Sequence, residues 1–304
     1  MPRRIVHRTR GQGYGPIVRL MSPSDLGQEL KPFVFLDLFE ADLRALAGSM
    51  PVHPHSGIAT VTVFPEGDVT FDDPHAGRGT IESGGIEWSR AGKGMWHGHE
   101  LSAGRSPKVR GFQLWLALPP DLETAEAESQ YVLSEQIPSV GPARVLVGSY
   151  GAVASPVRAP GGVNYLLVTL NPGERWTYEP PSGHTTAWVA VSRGTLHVGE
   201  RVSNGELAIF DRSEAPITLE GSAELGASFV LGSAVPHPYP LHLGAYSVHT
   251  SAAALAAGER HIRELKKRLD ASATDAPNRD RRRCSADRPA VARVEPSMAA
   301  SSNR

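Results

Sequence analysis

Cysteine is almost missing from this chain. Cys284 is the single one in 304 residues, so no internal disulfide can form and the fold needs no oxidising compartment. Net charge is almost missing too. Thirty-one basic and 32 acidic residues leave a formal charge of −1, and without a global basic field neither nucleic acid nor a membrane surface is an expected partner. No apolar run approaches the roughly 18–20 residues that span a bilayer. Arg3, Arg4, Arg8 and Arg10 are not followed by the apolar stretch of a secretory signal. A cytoplasmic protein is the expectation.

What the chain has in excess is chain breakers. Its 31 Gly and 25 Pro make up about 18% of it, against about 12% on average. That excludes long helices as the main element, and the glycines lack the three-residue period of collagen. Many short strands joined by turns are expected, and the length suffices to bury a core in each of two domains. Apolar runs such as Phe112-Gln113-Leu114-Trp115-Leu116-Ala117-Leu118 and Tyr165-Leu166-Leu167-Val168-Thr169-Leu170 supply the strands. Residues 121–137 show no strong period and read as a connector. The two halves echo each other weakly. Val63-Phe64-Pro65-Glu66-Gly67 followed by Gly84-Gly85 matches Val191-Ser192-Arg193-Gly194 followed by Asn204-Gly205, as a repeated antiparallel barrel would. One helix is predicted, over residues 251–269, where Leu255, Ile262, Leu265 and Leu269 keep helical spacing. Residues 271–304 contain no aromatic, Leu or Ile and carry a net +3; such a segment is expected to be a disordered tail. The rest, residues 1–270, is then net −4. The expected domains are 1–138 and 139–270, each a β-barrel.

Twelve histidines occur, and four form two His-x-His pairs, His53-Pro54-His55 and His97-Gly98-His99. Chance supplies roughly half of one such pair. Residues i and i+2 of a strand point to one face, so each pair aims two imidazoles into one space. Neighbouring strands could unite the pairs into a four-imidazole site suited to Fe, Ni, Cu, Zn or Co. The remaining histidines lack paired spacing.

These motifs resemble those of the pirin family. His53-Pro54-His55-Ser56-Gly57 is similar to its first metal motif, and Glu87-Trp88-Ser89-Arg90-Ala91-Gly92-Lys93-Gly94-Met95-Trp96-His97-Gly98-His99 to its W-x-x-A-G-x-G-x-x-H-S-E. Phe112-Gln113-Leu114-Trp115-Leu116-Ala117-Leu118-Pro119 is similar to Q-L-W-x-N-L-P. The resemblance covers about residues 5 to 269. It implies an all-β bicupin: two tandem jelly-roll barrels and a C-terminal helix, with the metal in the first barrel and none in the second. It also implies iron(II) as the leading metal, with Ni, Cu, Zn or Co as alternatives, held by His53, His55, His97 and the residue two after His97. That residue is His99 here, where the family has Glu, and His237-Pro238 stands where it has Glu-Pro. Glu100 follows directly, but strand alternation would turn it away from His97. Two functions follow from the resemblance. One is a dioxygenase of the quercetin 2,3-dioxygenase type acting on a small aromatic or enolic substrate, with His99 as the catalytic proton acceptor. The alternative is a non-catalytic, redox-sensitive iron-binding regulator acting through a protein partner.

Overall fold

The computed structural model describes residues 3–42, 52–73, 76–98 and 100–275. It divides into two compact units, residues 1–263 and 264–304. The described part of the second is the end of a helix, where Lys266 and Asp270 pair one turn apart.

Two antiparallel sheets carry the first unit. One has seven strands, in the order Glu128–Val132, Ile86–Arg90, Ile58–Glu66, Val109–Ala117, Phe33–Ala41, Ile17–Met21 and Gln12–Tyr14. The path of the other runs Ile5–Thr9, Leu207–Phe210, Thr186–Val198, Ala227–Ala234, Val163–Leu170, Ala143–Val147 and Ser139–Val140. The first strand of the chain thus completes a sheet otherwise made from residues after 138. Arginines hold it there. Arg3 donates to the carbonyls of Thr185 at 2.6 Å and Asp211 at 2.7 Å, and Arg8 pairs with Glu206 at 2.9 Å.

Alternation decides what each sheet buries. In the second sheet Leu166, Val168, Val189, Val191, Phe229 and Leu231 fill one core. Their neighbours Tyr165, Leu167, Trp188, Ala190 and Val230 face the other way and join Val61, Val63, Phe112 and Leu114 of the first sheet in another. Strands buried on both faces are why those segments read as unbroken apolar runs. Each fully buried apolar side chain contributes roughly 1.5–3 kcal/mol relative to exposure. The first sheet differs on its far face. There the register aligns Ser89, Thr60, Trp115 and Phe35 in one row and Glu87, Thr62, Gln113 and Asp37 in the next. Thr60, Thr62, Glu87, Ser89 and Asp37 are all buried. A buried polar face must be internally paired or hold something. Asp37 is paired, accepting from Arg19 Nε and Nη2 at 2.9 and 3.0 Å.

The sequence echo does not correspond to equivalent turns. Gly67 and Gly194 both take positive φ, +87° and +73°, where a Cβ is unfavourable, but Gly67 follows the strand Ile58–Glu66 whereas Gly194 lies inside the strand Thr186–Val198. The connector over 121–137 contains a short helix, Pro120–Glu123, and the edge strand Glu128–Val132. The predicted helix runs over Ala252–Asp275, with Ser251 Oγ accepting from Ala254 N at 3.1 Å as its cap. It enters the segment expected to lack structure, because Ala271 and Ala273 are strong helix formers. The remainder of that segment, including Cys284, lies outside the described residues. No described helix is long and apolar enough to cross a membrane.

Candidate metal centre

A short strand pair sits beside the polar face of the first sheet. His53–His55 runs antiparallel to Met95–His97, with His97 opposite His53 and Met95 opposite His55. The i, i+2 spacing puts His53 and His55 on one face, and the register adds His97. Ring centroids are 4.9 Å apart for His53 and His55, 4.6 Å for His53 and His97, and 5.0 Å for His55 and His97. One nitrogen from each ring lies within 4.8 Å of the others. His99 lies outside the described residues, as does His75. Neither His184 nor His237 belongs to the cluster.

The protonation state suits an ion. Burial, then the neighbouring His97, lowers the His55 pKa to about 3, and burial followed by His53 lowers that of His97 to about 4. Both imidazoles are therefore neutral near pH 7, with lone pairs open to a metal. His55 Nδ1 is 3.0 Å from the Tyr246 carbonyl. A carbonyl only accepts, so Nδ1 carries the proton and Nε2 the lone pair. Among the described residues, His55 Nε2 and His97 Nε2 are buried without a hydrogen-bond partner. A lone orphan of this kind costs about 1–3 kcal/mol, and two aimed at one another's neighbourhood fit a shared cation. The donor set, three imidazole nitrogens, fits a divalent ion.

Around the cluster stand aromatic walls. The Trp115 ring meets His55 edge-on at 4.8 Å and stacks on Phe35 at 4.1 Å. Tyr246, 47% exposed, stands 6.0 Å from His53 and 6.2 Å from His55. Glu100 departs from the alternation argument because the strand ends at His97. Its carboxylate accepts from Gly98 N at 2.7 Å, and its charge acts on His97.

Sequence reasoning missed the support behind His55. Ser56 Oγ lies 2.9 Å from His249 Nε2 and 2.8 Å from Ser247 Oγ. His249 Nδ1 is 3.1 Å from Glu123, which also accepts from the Thr250 amide at 2.7 Å and hydroxyl at 2.6 Å. A Cβ on Gly258 would stand 2.6 Å from Ser56 Oγ, so glycine there lets the helix close over this network. No spacing links residues 56, 123 and 249, and no sequence signal was available for them.

Glu87, on the same polar face, has its pKa raised to about 7 by burial, reinforced by Glu100 and Asp73. Its unfolded value is near 4.5, so between those limits the unfolded chain has lost the proton and the folded one keeps it. Stability from this group is full below about pH 4.5 and falls as pH rises to about 7, by about 3 kcal/mol at about 1.4 kcal/mol per unit. The isosteric Glu87→Gln has no such loss. Urea unfolding of metal-free protein at pH 5 and pH 8 is expected to show the variant gaining on the wild type by that amount. Parallel pH profiles would count against a buried, proton-holding Glu87.

The Pirin family model matches residues 17–116, a span that includes both histidine strands. A Pseudomonas aeruginosa protein named "Putative quercetin 2,3-dioxygenase" is 31% identical over 75% of this chain and 84% of its own. A pirin-like protein of Arabidopsis thaliana is 31% identical over 65% of this chain and 64% of its own. The crystal structure of a quercetin 2,3-dioxygenase from Acinetobacter baumannii superposes with a TM-score of 0.74 at 25% identity, over 88% of this chain and 98% of that one. The all-β bicupin architecture expected from the motifs is the one these relatives share. Likeness of that extent, carried through the strands that bear the histidines, makes this chain a member of the pirin family.

Proposed function

We propose that the protein is a metal-dependent dioxygenase of the quercetin 2,3-dioxygenase type, acting on a planar phenolic or enolic compound. The observation that carries this reading is the pair of buried, unpartnered Nε2 atoms of His55 and His97 beside His53. The names of the relatives support the substrate class. The proposed ligands are His53, His55, His97 and His99, with iron(II) as the metal and Ni, Cu, Zn or Co as alternatives. When bound, the ion supplies Lewis acidity toward a substrate hydroxyl and redox reach toward dioxygen. The chain supplies the rest. Tyr246 offers an exposed ring at the cluster for stacking a flat substrate. Trp115 and Phe35 wall the cluster from water. His99, when released from the metal, is the proposed proton acceptor in the place of the family's glutamate, and Glu100 brings a carboxylate to the Gly98 amide. We also propose residues 138/139 as the domain boundary, the site belonging to the first domain.

Oxygen uptake with quercetin tests the reading. Protein loaded anaerobically with each of the five metals is expected to consume oxygen with at least one, and His97→Ala with none. No uptake above free metal in any of the five would sink it.

A further inference from the structure

The strands that carry the three histidines belong to neither large sheet. His53–His55 and Met95–His97 form a two-stranded ribbon, three residues on each side, and neither pairs with a third strand among the described residues. A ribbon of that size is marginal by itself, so its geometry must be held from outside. Alternation gives it two faces. His53, His55 and His97 share one. Pro54 and Trp96, opposite one another in the register, take the other, and Ser56 continues it.

What covers that second face comes from the far end of the chain. Trp96 Nε1 donates to the Ile262 carbonyl at 2.9 Å. Ser56 is bridged to Ser247, with Val248 N donating to Ser56 O at 3.3 Å and the two serine hydroxyls 2.8 Å apart. One residue earlier, the Tyr246 carbonyl reaches His55 Nδ1. Close approach is built in. A Cβ on Gly258 would stand 2.6 Å from Ser56 Oγ and 2.7 Å from His249 Nε2, and one on Gly94, just before the second histidine strand, would stand 3.2 Å from His261 and Ile262. Residues 246–262 therefore touch both histidine strands, one at His55 and Ser56 and the other at Trp96.

From these contacts we infer that residues 246–262 are a clamp on the metal centre, with Trp96 and Gly258 as positioning residues. The docked segment holds the ribbon in the register that converges the imidazoles. The inference rests on the proposed histidine ligands and not on the reaction proposed for them. Linkage makes the effect reciprocal. If docking of the segment favours metal binding, bound metal favours docking by the same factor.

Zinc, which binds without redox chemistry, is the probe, added to the full-length protein and read by amide hydrogen exchange. At zinc about 100-fold above its Kd, the amides of residues 254–262 are expected to exchange at least about tenfold more slowly. Those of Arg175–Tyr178, in the second sheet, should keep their rates. Trp96→Phe keeps a ring and removes the donor. Among folded molecules it is expected to bind zinc about tenfold more weakly and to lose most of the zinc-dependent protection. Gly258→Ala should also weaken zinc binding, although alanine favours a helix, so helix propensity alone predicts the opposite. Wild-type protein that binds zinc with unchanged exchange in residues 254–262 overturns the clamp and leaves the metal centre standing, as does wild-type zinc affinity in Trp96→Phe. Failure of the wild type to bind zinc overturns both. The exchange comparison is made on the wild type, so a variant that fails to fold leaves the test intact.

Discussion

His97→Ala is expected to lower divalent-metal affinity by more than about a hundredfold while the metal-free protein unfolds within about 2 kcal/mol of the wild type. Losing an outer partner of a ligand typically costs 10–100-fold in affinity, and His97 would contribute a donor atom itself. Its position explains the modest structural effect. His97 ends a three-residue strand, and its Nε2 is buried without a partner among the described residues. Removing an unsatisfied polar atom offsets part of the lost packing. Metal content after exhaustive dialysis and a competitive titration would read the change, with His197→Ala, an exposed histidine of the other sheet, as control. Wild-type retention of metal in His97→Ala would remove this residue from the site.

Glu123→Ala is expected to destabilise the protein by about 3–5 kcal/mol, the range for deleting one partner of a buried charged network. Glu123 is 2% exposed and His249 equally so. The substitution strands the Thr250 amide, the Thr250 hydroxyl and His249 Nδ1 together. Glu123→Gln keeps one acceptor oxygen and should lose less. Because the network ends on Ser56, next to His55, both variants should also weaken metal binding, by about 10–100-fold. Denaturant unfolding and metal titration of the same samples check the two effects. A loss under about 1 kcal/mol in Glu123→Ala would mean the network does not support the site.

Much of the centre was legible in the chain. His53 and His55 announced themselves because strand periodicity turns a spacing of two into a shared face; His97 joins them through the register of the neighbouring strand, and its partner His99 lies outside the described residues. The helix was legible from the spacing of Leu255, Ile262, Leu265 and Leu269; its end was not, since alanine continues a helix without leaving an apolar stripe. The edge strand Glu128–Val132 hid inside a segment read as a connector, because Glu128, Ser129 and Gln130 are half-buried and polar. Alternation failed at Glu100, since it presumes a strand and this one stops three residues earlier. Ser56, Glu123 and His249 are brought together by tertiary folding alone, across separations that leave no local pattern.

The placement of the first strand has a consequence for how the protein is made. Ile5 pairs with Phe210 and Thr9 with Leu207, so this strand leaves the ribosome about two hundred residues ahead of its partner. At 5–20 residues per second it spends on the order of 10–40 s without that partner. During that interval Val6 and its neighbours form an unclaimed β-edge, and such edges recruit other chains. The arginines at 4, 8 and 10, spaced along this segment, keep it charged while it waits, which is the protection that an unpaired edge requires.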